Sequence, residues 1–305
     1  MTPRAATGGP APCSTAVNAA SGAYTADQIA SAYDFTGLYG AGDLGAGQTV
    51  GLYELEPNLK SDISAYQSCY QTSALVSYAK VDGGAGSGAG SGEAALDIED
   101  VIGLAPAANL LVYQGPNTDV GALDTYQKMV TDNQAKVIST SWGACESHLA
   151  AGDAATENTL FAEAAIQGQT VVSASGDSGV RDCYEPTRKV TTPSVDDPAS
   201  QPFVIGVGGT TLTSPGPPPA ESVWNNSTGA GGGGDSSLWP MPAYQSAADP
   251  SLGVIDSGSA PASTCGGSTG YCRQVPDVSA DADPNTGYVE YWRGDGSPDD
   301  SSAWS

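Results

Sequence analysis

Histidine and positive charge are nearly absent from this 305-residue chain, which holds one histidine, His148, and 10 Lys+Arg against 34 Asp+Glu. A single imidazole excludes a multi-histidine metal site and leaves acid/base chemistry mainly to carboxylates. The formal net charge of -24 repels phosphate backbones and anionic lipid surfaces, so nucleic acid and membrane surfaces are excluded as partners. No apolar run approaches the roughly 18 to 20 residues of a membrane span. The opening MTPRAATGGPAP has no apolar core like that of a signal peptide, so the chain reads as soluble, with any export signal outside these residues. Charged residues are only 14% of the chain, against about 25% in an average domain. Such a surface has few ion pairs and loses little when its carboxylates are protonated.

Glycine (40) and proline (21) are abundant, and the six cysteines are even in number. Cys265 and Cys272 are spaced for a local disulfide and for no zinc pattern, which points to an oxidising compartment. Free buried thiols are the alternative, and the spacing does not fix the pairing of the other four. From residue 48 to about 208 short β-branched runs alternate with helical spacing, as in a parallel sheet with crossover helices. The runs Thr49 to Leu55, Leu75 to Val81, Asn109 to Gln114, Lys136 to Thr140, Thr170 to Ala174 and Phe203 to Val207 predict strands. Leu59 to Tyr70, Glu93 to Leu104, Val120 to Asn133 and Thr156 to Gln167 predict helices. After Gly209 the pattern becomes loop-rich, with a glycine run at 229 to 234, while Ser222 to Trp224 and Tyr288 to Trp292 still read as strands. Those strands can pair with the first half, so the expectation is one shared core rather than a second domain.

The glycine-serine loop at 83 to 92 runs into the most informative helix. At about 100° per residue, Ala94, Ile98, Val101 and Ile102 share one apolar arc, with Glu93 and Asp97 within about 40° of each other at its edge and Glu99 pointing away. Two acids at i and i+4 destabilise a helix, so the pair asks for a reason. Either this is a solvated acidic face whose first-turn acid suits the helix dipole, or the two carboxyls share a proton and one serves as a general base.

Thr170 to Gly179 reads as a buried strand entering a Gly-Asp-Ser-Gly turn, the position where parallel sheets present functional groups. Ser178 as a chymotrypsin-like nucleophile fails on context, since Val180 replaces a second glycine and His148 lies 30 residues upstream in an α/β pattern. Asp177 is therefore either a site acid or a turn-capping residue.

Taken in order, Gly-Glu-Ala-Ala-Leu-Asp at 92 to 97, Ser139-Thr140-Ser141-Trp142-Gly143, Ser173 to Gly179 and Val207-Gly208-Gly209-Thr210 resemble the sedolisin family of serine-carboxyl peptidases. Tyr24 to Ile29 with Ala32-Tyr33, Gly45 to Val50, and Val275 to Ala280 support the likeness, which covers residue 20 onward. The resemblance implies an α/β, subtilisin-like, doubly wound and mostly parallel sheet with helices on both faces. The expected organisation is a flexible segment at 1–20 and a partial peptidase domain at 21–305. It implies a secreted, acid-active endopeptidase or tripeptidyl-peptidase acting on peptide or protein substrates, here as a monomer. Glu93 takes the role of general base, Asp97 holds the shared proton behind it, and Asp177 is the protonated oxyanion-hole acid. Ser141, Trp142 and Gly143 would line the substrate cleft and pair with an extended peptide.

The sequence departs from the family pattern at one point. The nucleophile belongs to a Gly-Thr-Ser segment downstream of the Val-Pro-Asp-Val-Ser-Ala strand, and Gly-Thr-Ser occurs nowhere in these residues. The expectation is a catalytic domain incomplete at its C-terminus, lacking nucleophile and calcium loop, inactive by itself and with sheet surface uncovered. Calcium is expected from the family, at a site beyond residue 305. The alternative from another class is a non-catalytic peptide- or wall-binding protein that retains the fold. A nucleotide-binding α/β protein is disfavoured, because the glycine-rich loop lacks the P-loop lysine.

Overall fold

The computed structural model describes residues 5–20, 22–86, 90–150, 152–184, 191–294 and 303–305. The chain divides into two compact units, each gathered from separate stretches: Met1–Ser141 with Thr211–Ser222 and Asp283–Ser305, and Trp142–Thr210 with Val223–Ala282.

The first unit carries strands β1 (Thr49–Glu54), β2 (Val76–Lys80), β3 (Asn109–Gln114) and β4 (Val137–Thr140). They pair in parallel in the order β2-β3-β1-β4. Parallel neighbours need crossovers, and these are α2 (Lys60–Tyr70), α3 (Ser91–Leu104) and α4 (Asp119–Asp132), preceded by α1 (Ala26–Ala32). Alternation along β1 sends Leu52 into a core with Ile63, Tyr66, Ile98, Ile102 and Leu110 from α2, α3 and β3. Tyr53 points the other way and meets Tyr126 of α4 edge-on, with ring centroids 4.8 Å apart. Both sheet faces of this unit are thus covered, as continuous apolar strands require. Helix α1 starts at Thr25, whose backbone N–H donates to the Gln28 side chain at 3.0 Å, a capping-box contact inside the Tyr24 to Ile29 motif.

Two sequence expectations need correction. The helical wheel points Glu99 away from the buried stripe, yet it is fully buried. Its Oε2 accepts the Tyr291 backbone N–H at 2.7 Å, and its carbonyl accepts the Tyr288 hydroxyl at 3.3 Å. A covering segment 189 or more residues away does this, and no helical wheel contains that information. The sequence also predicts a strand over Tyr288 to Trp292. The segment forms no strand and makes only isolated bridges, Tyr24 with Tyr288 and Tyr291 with Trp304. Tyr288, Tyr291, Trp292 and Trp304 pack on the core of β1, α2 and α3, and Arg293 Nε donates to the buried Asp62 carboxylate at 2.7 Å. Within the amino-terminal stretch, a short helix spans Ser14–Ala19, Cys13 is bonded to Cys69, and the Ala5 N–H donates to Asp27 at 2.8 Å. Residues 87–89 of the glycine-serine loop lie outside the described residues.

The second unit contains α5 (Asp153–Ile166), β5 (Thr170–Ala174), β6 (Val204–Ser214, with Val204–Thr210 in this unit), β7 (Gly234–Pro240), β8 (Cys272–Val275) and β9 (Val278–Asp281). Strands β5, β6 and β9 are parallel, and β7 pairs antiparallel with β8. Val171, Ser173, Val204 and Gly206 are buried on one face of the parallel strands, whereas Ala174, Ile205 and Val278 on the other are exposed. The helix-covered arrangement expected for both faces therefore holds for one face of this part of the sheet. Disulfides join Cys145 to Cys183 and Cys265 to Cys272, the second being the expected local pair. Constraining the unfolded chain in this way contributes typically about 2–4 kcal/mol per bridge.

Candidate active site

In the first unit, helix α3 begins directly after Gly90 and carries Glu93 in its opening turn. Glu93, Asp97 and Asp100 recur at i, i+4 and i+7, within about 60° on the helix surface. Glu54, at the carboxyl end of β1, and Glu290, from the covering segment, join the same cluster of interacting acids. The Ser141 hydroxyl donates to Asp97 Oδ1 at 2.8 Å. Burial pushes the Asp97 pKa up to about 7, the Glu93 charge adds to the rise, and hydrogen bonds with Ser141 and Glu54 oppose it. Burial also lifts Asp100 well above the usual carboxylate range, helped by the charges of Asp97, Glu93 and Glu290. Its Oδ1 is buried with no hydrogen-bond partner. Glu290 is raised to about 7, chiefly by burial and then by Glu93.

A cluster of this kind cannot ionise fully, because each new charge in a dry site opposes the next. It retains protons at mildly acidic pH and can take one from, or return one to, a hydroxyl brought against Glu93. Of the expected cleft residues, Ser141 is committed through its side chain to Asp97. Trp142 and Gly143 belong to the second unit, where Trp142 is half-buried and Gly143 exposed.

The second unit builds the turn that bears Asp177. Gly176 adopts φ of 100° and Gly179 φ of 62°, conformations that L side chains rarely take. The glycine run read as loop is packed backbone: Ala230 N–H donates to the Asp177 carbonyl at 2.8 Å and Gly232 N–H to that of Gly176 at 2.7 Å. The Ser175 hydroxyl donates to the Gly232 carbonyl at 2.8 Å. A Cβ on Gly231 would meet the backbone of Gly209 and one on Gly232 that of Ser175, so neither position has room for a side chain. Asp177 is exposed on one side, and partial desolvation on the other raises its pKa. Beside the turn is a cavity of about 680 Å³ lined by Ser178, Gly209, Trp224, Gly232 and Pro276 among others.

Among the described residues, the one group close enough to suggest a metal is Cys145, His148 and Cys183, whose ligand atoms lie within 4.8 Å of one another. Both sulfurs are spent in a disulfide, so the trio offers a cation only one imidazole.

Sequence reasoning missed Glu54, Asp100 and Glu290. Asp100 was accessible, since i+7 returns to the face of Glu93. Glu54 also carried a signal, as an acid closing a parallel strand at its carboxyl end. Glu290 carried none, because its place depends on where the covering segment docks.

The sequence pattern of the subtilase family matches residues 80–301. The chain belongs to the subtilase family and, within it, to the sedolisin group of serine-carboxyl peptidases. It is 36% identical over 283 residues to kumamolisin of Bacillus sp. (strain MN-32), covering 89% of this chain and 48% of that protein. With sedolisin of Pseudomonas sp. (strain 101) the identity is 38% over 211 residues, or 66% of this chain and 34% of the relative. Tripeptidyl-peptidase 1 of Canis lupus familiaris is 33% identical over 212 residues, covering 68% and 36% of the two chains. The solved Pseudomonas sedolisin complexed with two molecules of pseudo-iodotyrostatin matches with a TM-score of 0.70 and 29% identity, over 90% of this chain and 74% of that one. The chain spans about half or less of the length of these curated relatives.

Proposed function

We propose that these residues supply the proton-handling and oxyanion-binding parts of an acid-acting serine-carboxyl peptidase, secreted and directed at peptide or protein substrates. The observation that carries this reading is the Ser141–Asp97 hydrogen bond one helical turn from Glu93, with Asp97 raised to about 7 by burial and by the Glu93 charge. Glu93 takes the proton of a serine hydroxyl as that oxygen attacks the peptide carbonyl. Asp97 shares the proton and keeps Glu93 oriented, and the pair returns it to the leaving amine. Asp177, protonated, donates a hydrogen bond to the oxyanion that develops on the carbonyl oxygen; ionised, it would repel that oxygen. Its raised pKa extends the protonated form upward in pH, so activity falls on the alkaline side as Asp177 ionises. Trp142 and Gly143 border an extended peptide chain.

The nucleophile in this reading belongs to a Gly-Thr-Ser segment, which residues 1–305 do not contain, so these residues alone do not hydrolyse peptides. Calcium, where the protein binds it, is held by residues other than these. Purified residues 1–305 incubated with a mixed peptide pool at pH 4 test the reading by mass spectrometry. Intact peptides are expected; cleavage that survives Glu93→Gln would overturn the roles of Glu93 and Asp97 in proton transfer.

A further inference from the structure

Two acids beside the Asp177 turn, half-buried Asp182 and buried Asp196, have no part in the chemistry above. Asp182 hydrogen-bonds through its carboxyl to the backbone N–H groups of Asp177 and Ser178 and to the Asp196 side chain. Asp196 lies in the short strand Asp196–Asp197, which pairs antiparallel with Ala144–Cys145, immediately after Gly143. Two glycines make room for the acid pair. A Cβ on Gly176 would strike the Asp182 carboxyl, and one on Gly143 would strike the Asp196 carboxyl. The pair therefore fills the space between the turn and the strand end, with one carboxyl against each.

We propose that Asp182 is the positioning residue of the Asp177 turn, its carboxylate holding the Asp177 and Ser178 amides while a single proton shared with Asp196 ties the turn to the strand end at Gly143. Two carboxylates in hydrogen-bond contact cannot both be ionised without strong repulsion, so the tie exists only while the pair keeps its proton. The hydrogen bond favours the charged form of Asp182 and the protonated form of Asp196, which places the proton on Asp196. Burial and the Asp182 charge push Asp196 up to about 9, with Asp197 and Asp177 adding to the rise. The groups around the pair are almost all acidic. Asp197 is hydrogen-bonded to Glu157 and Gln201 and feels the charge of Glu146, and Arg181, next in sequence to Asp182, is exposed. No cation replaces the shared proton among these contacts, and losing it places two adjacent negative charges under the turn.

The role of Asp177 in the proposed chemistry is what makes its turn important, but the tie itself is measured without catalysis. In amide NMR spectra of the 305-residue chain from pH 4 to 10, the Asp177 and Ser178 resonances are expected to hold steady through neutrality. They then shift together in one step near pH 9. Asp196→Asn keeps a donor toward Asp182 and carries no proton to lose; it is expected to retain the acid-form shifts and abolish the step. Asp182→Asn is expected to displace both amide resonances already at pH 4. It should also lower the Asp177 carboxyl pKa, followed by its ¹³Cγ shift, by about one unit as the turn opens to water. Persistence of the step in Asp196→Asn overturns the proposal, as do unchanged Asp177 and Ser178 amides in Asp182→Asn. Should Asp182→Asn fail to fold, the Asp196→Asn titration decides alone. If the tie is found and peptide cleavage by the longer protein is insensitive to Asp177, the catalytic reading fails while the tie stands.

Discussion

The Ser141 hydroxyl donates to Asp97 Oδ1 at 2.8 Å, joining the residue after β4 to the second turn of α3. This bond favours the charged form of Asp97 in a site where burial and Glu93 favour the neutral one. Removing it shifts the balance in a known direction. Ser141→Ala should raise the Asp97 pKa above about 7, by roughly one further unit. A carboxyl ¹³C titration of the variant checks this, and an unchanged or lowered Asp97 pKa would contradict it.

The stability of the chain should depend on pH in the opposite sense to that of most proteins. Asp97 and Glu290 are raised to about 7 and Asp196 to about 9, all from ordinary carboxylate values near 4. The folded chain thus holds protons that the unfolded chain has released. The stabilisation is complete below about pH 4 and is lost as the pH rises through 7 and then 9. Thermal unfolding should show a Tm that falls by roughly 5–10 °C between pH 4 and pH 8, and a Tm that rises over that range would refute the assignment of these protons to the folded state.

Gly176 should not tolerate a methyl group. Its φ of 100° strains any L residue, and the added Cβ meets the Asp182 carboxyl. Gly176→Ala is expected to cost about 2–4 kcal/mol. Gly152 has φ of 99° with nothing within 4 Å of a new Cβ, so Gly152→Ala isolates the backbone strain at about 1 kcal/mol. Equal losses in urea unfolding of the two variants would show that the carboxyl contact is immaterial.

No group of three carboxylates among the described residues is close enough to hold a cation. The proposed placing of calcium outside residues 1–305 predicts that chelator leaves their Tm unchanged, and a drop restored by calcium would reveal a site in these residues.

Much of the framework was legible because parallel strands are continuous and apolar. Asn109–Gln114 and Thr170–Ala174 fall where the β-branched runs place them, and the four long helices begin within three residues of expectation. Glu93 and Asp97 were visible as a pair because like charges at i and i+4 are locally unfavourable. Glu99, Glu290 and Asp196 were not, since each is defined by a partner on another segment of the chain: Tyr291, Glu93 and Asp182. The glycine run near 230 was misread as loose for the same reason. Its composition records a backbone packed against the turn at Asp177, and composition alone cannot distinguish that from a linker.

The most direct measurement is peptide hydrolysis at pH 4 by the chain carried through a downstream Gly-Thr-Ser segment, compared with its Glu93→Gln and Asp177→Asn variants. Each substitution is expected to lower kcat/KM by about 10²-fold or more, with Asp177→Asn leaving folding intact. Retention of kcat/KM within about tenfold in either variant would contradict the roles assigned to the base and to the oxyanion acid.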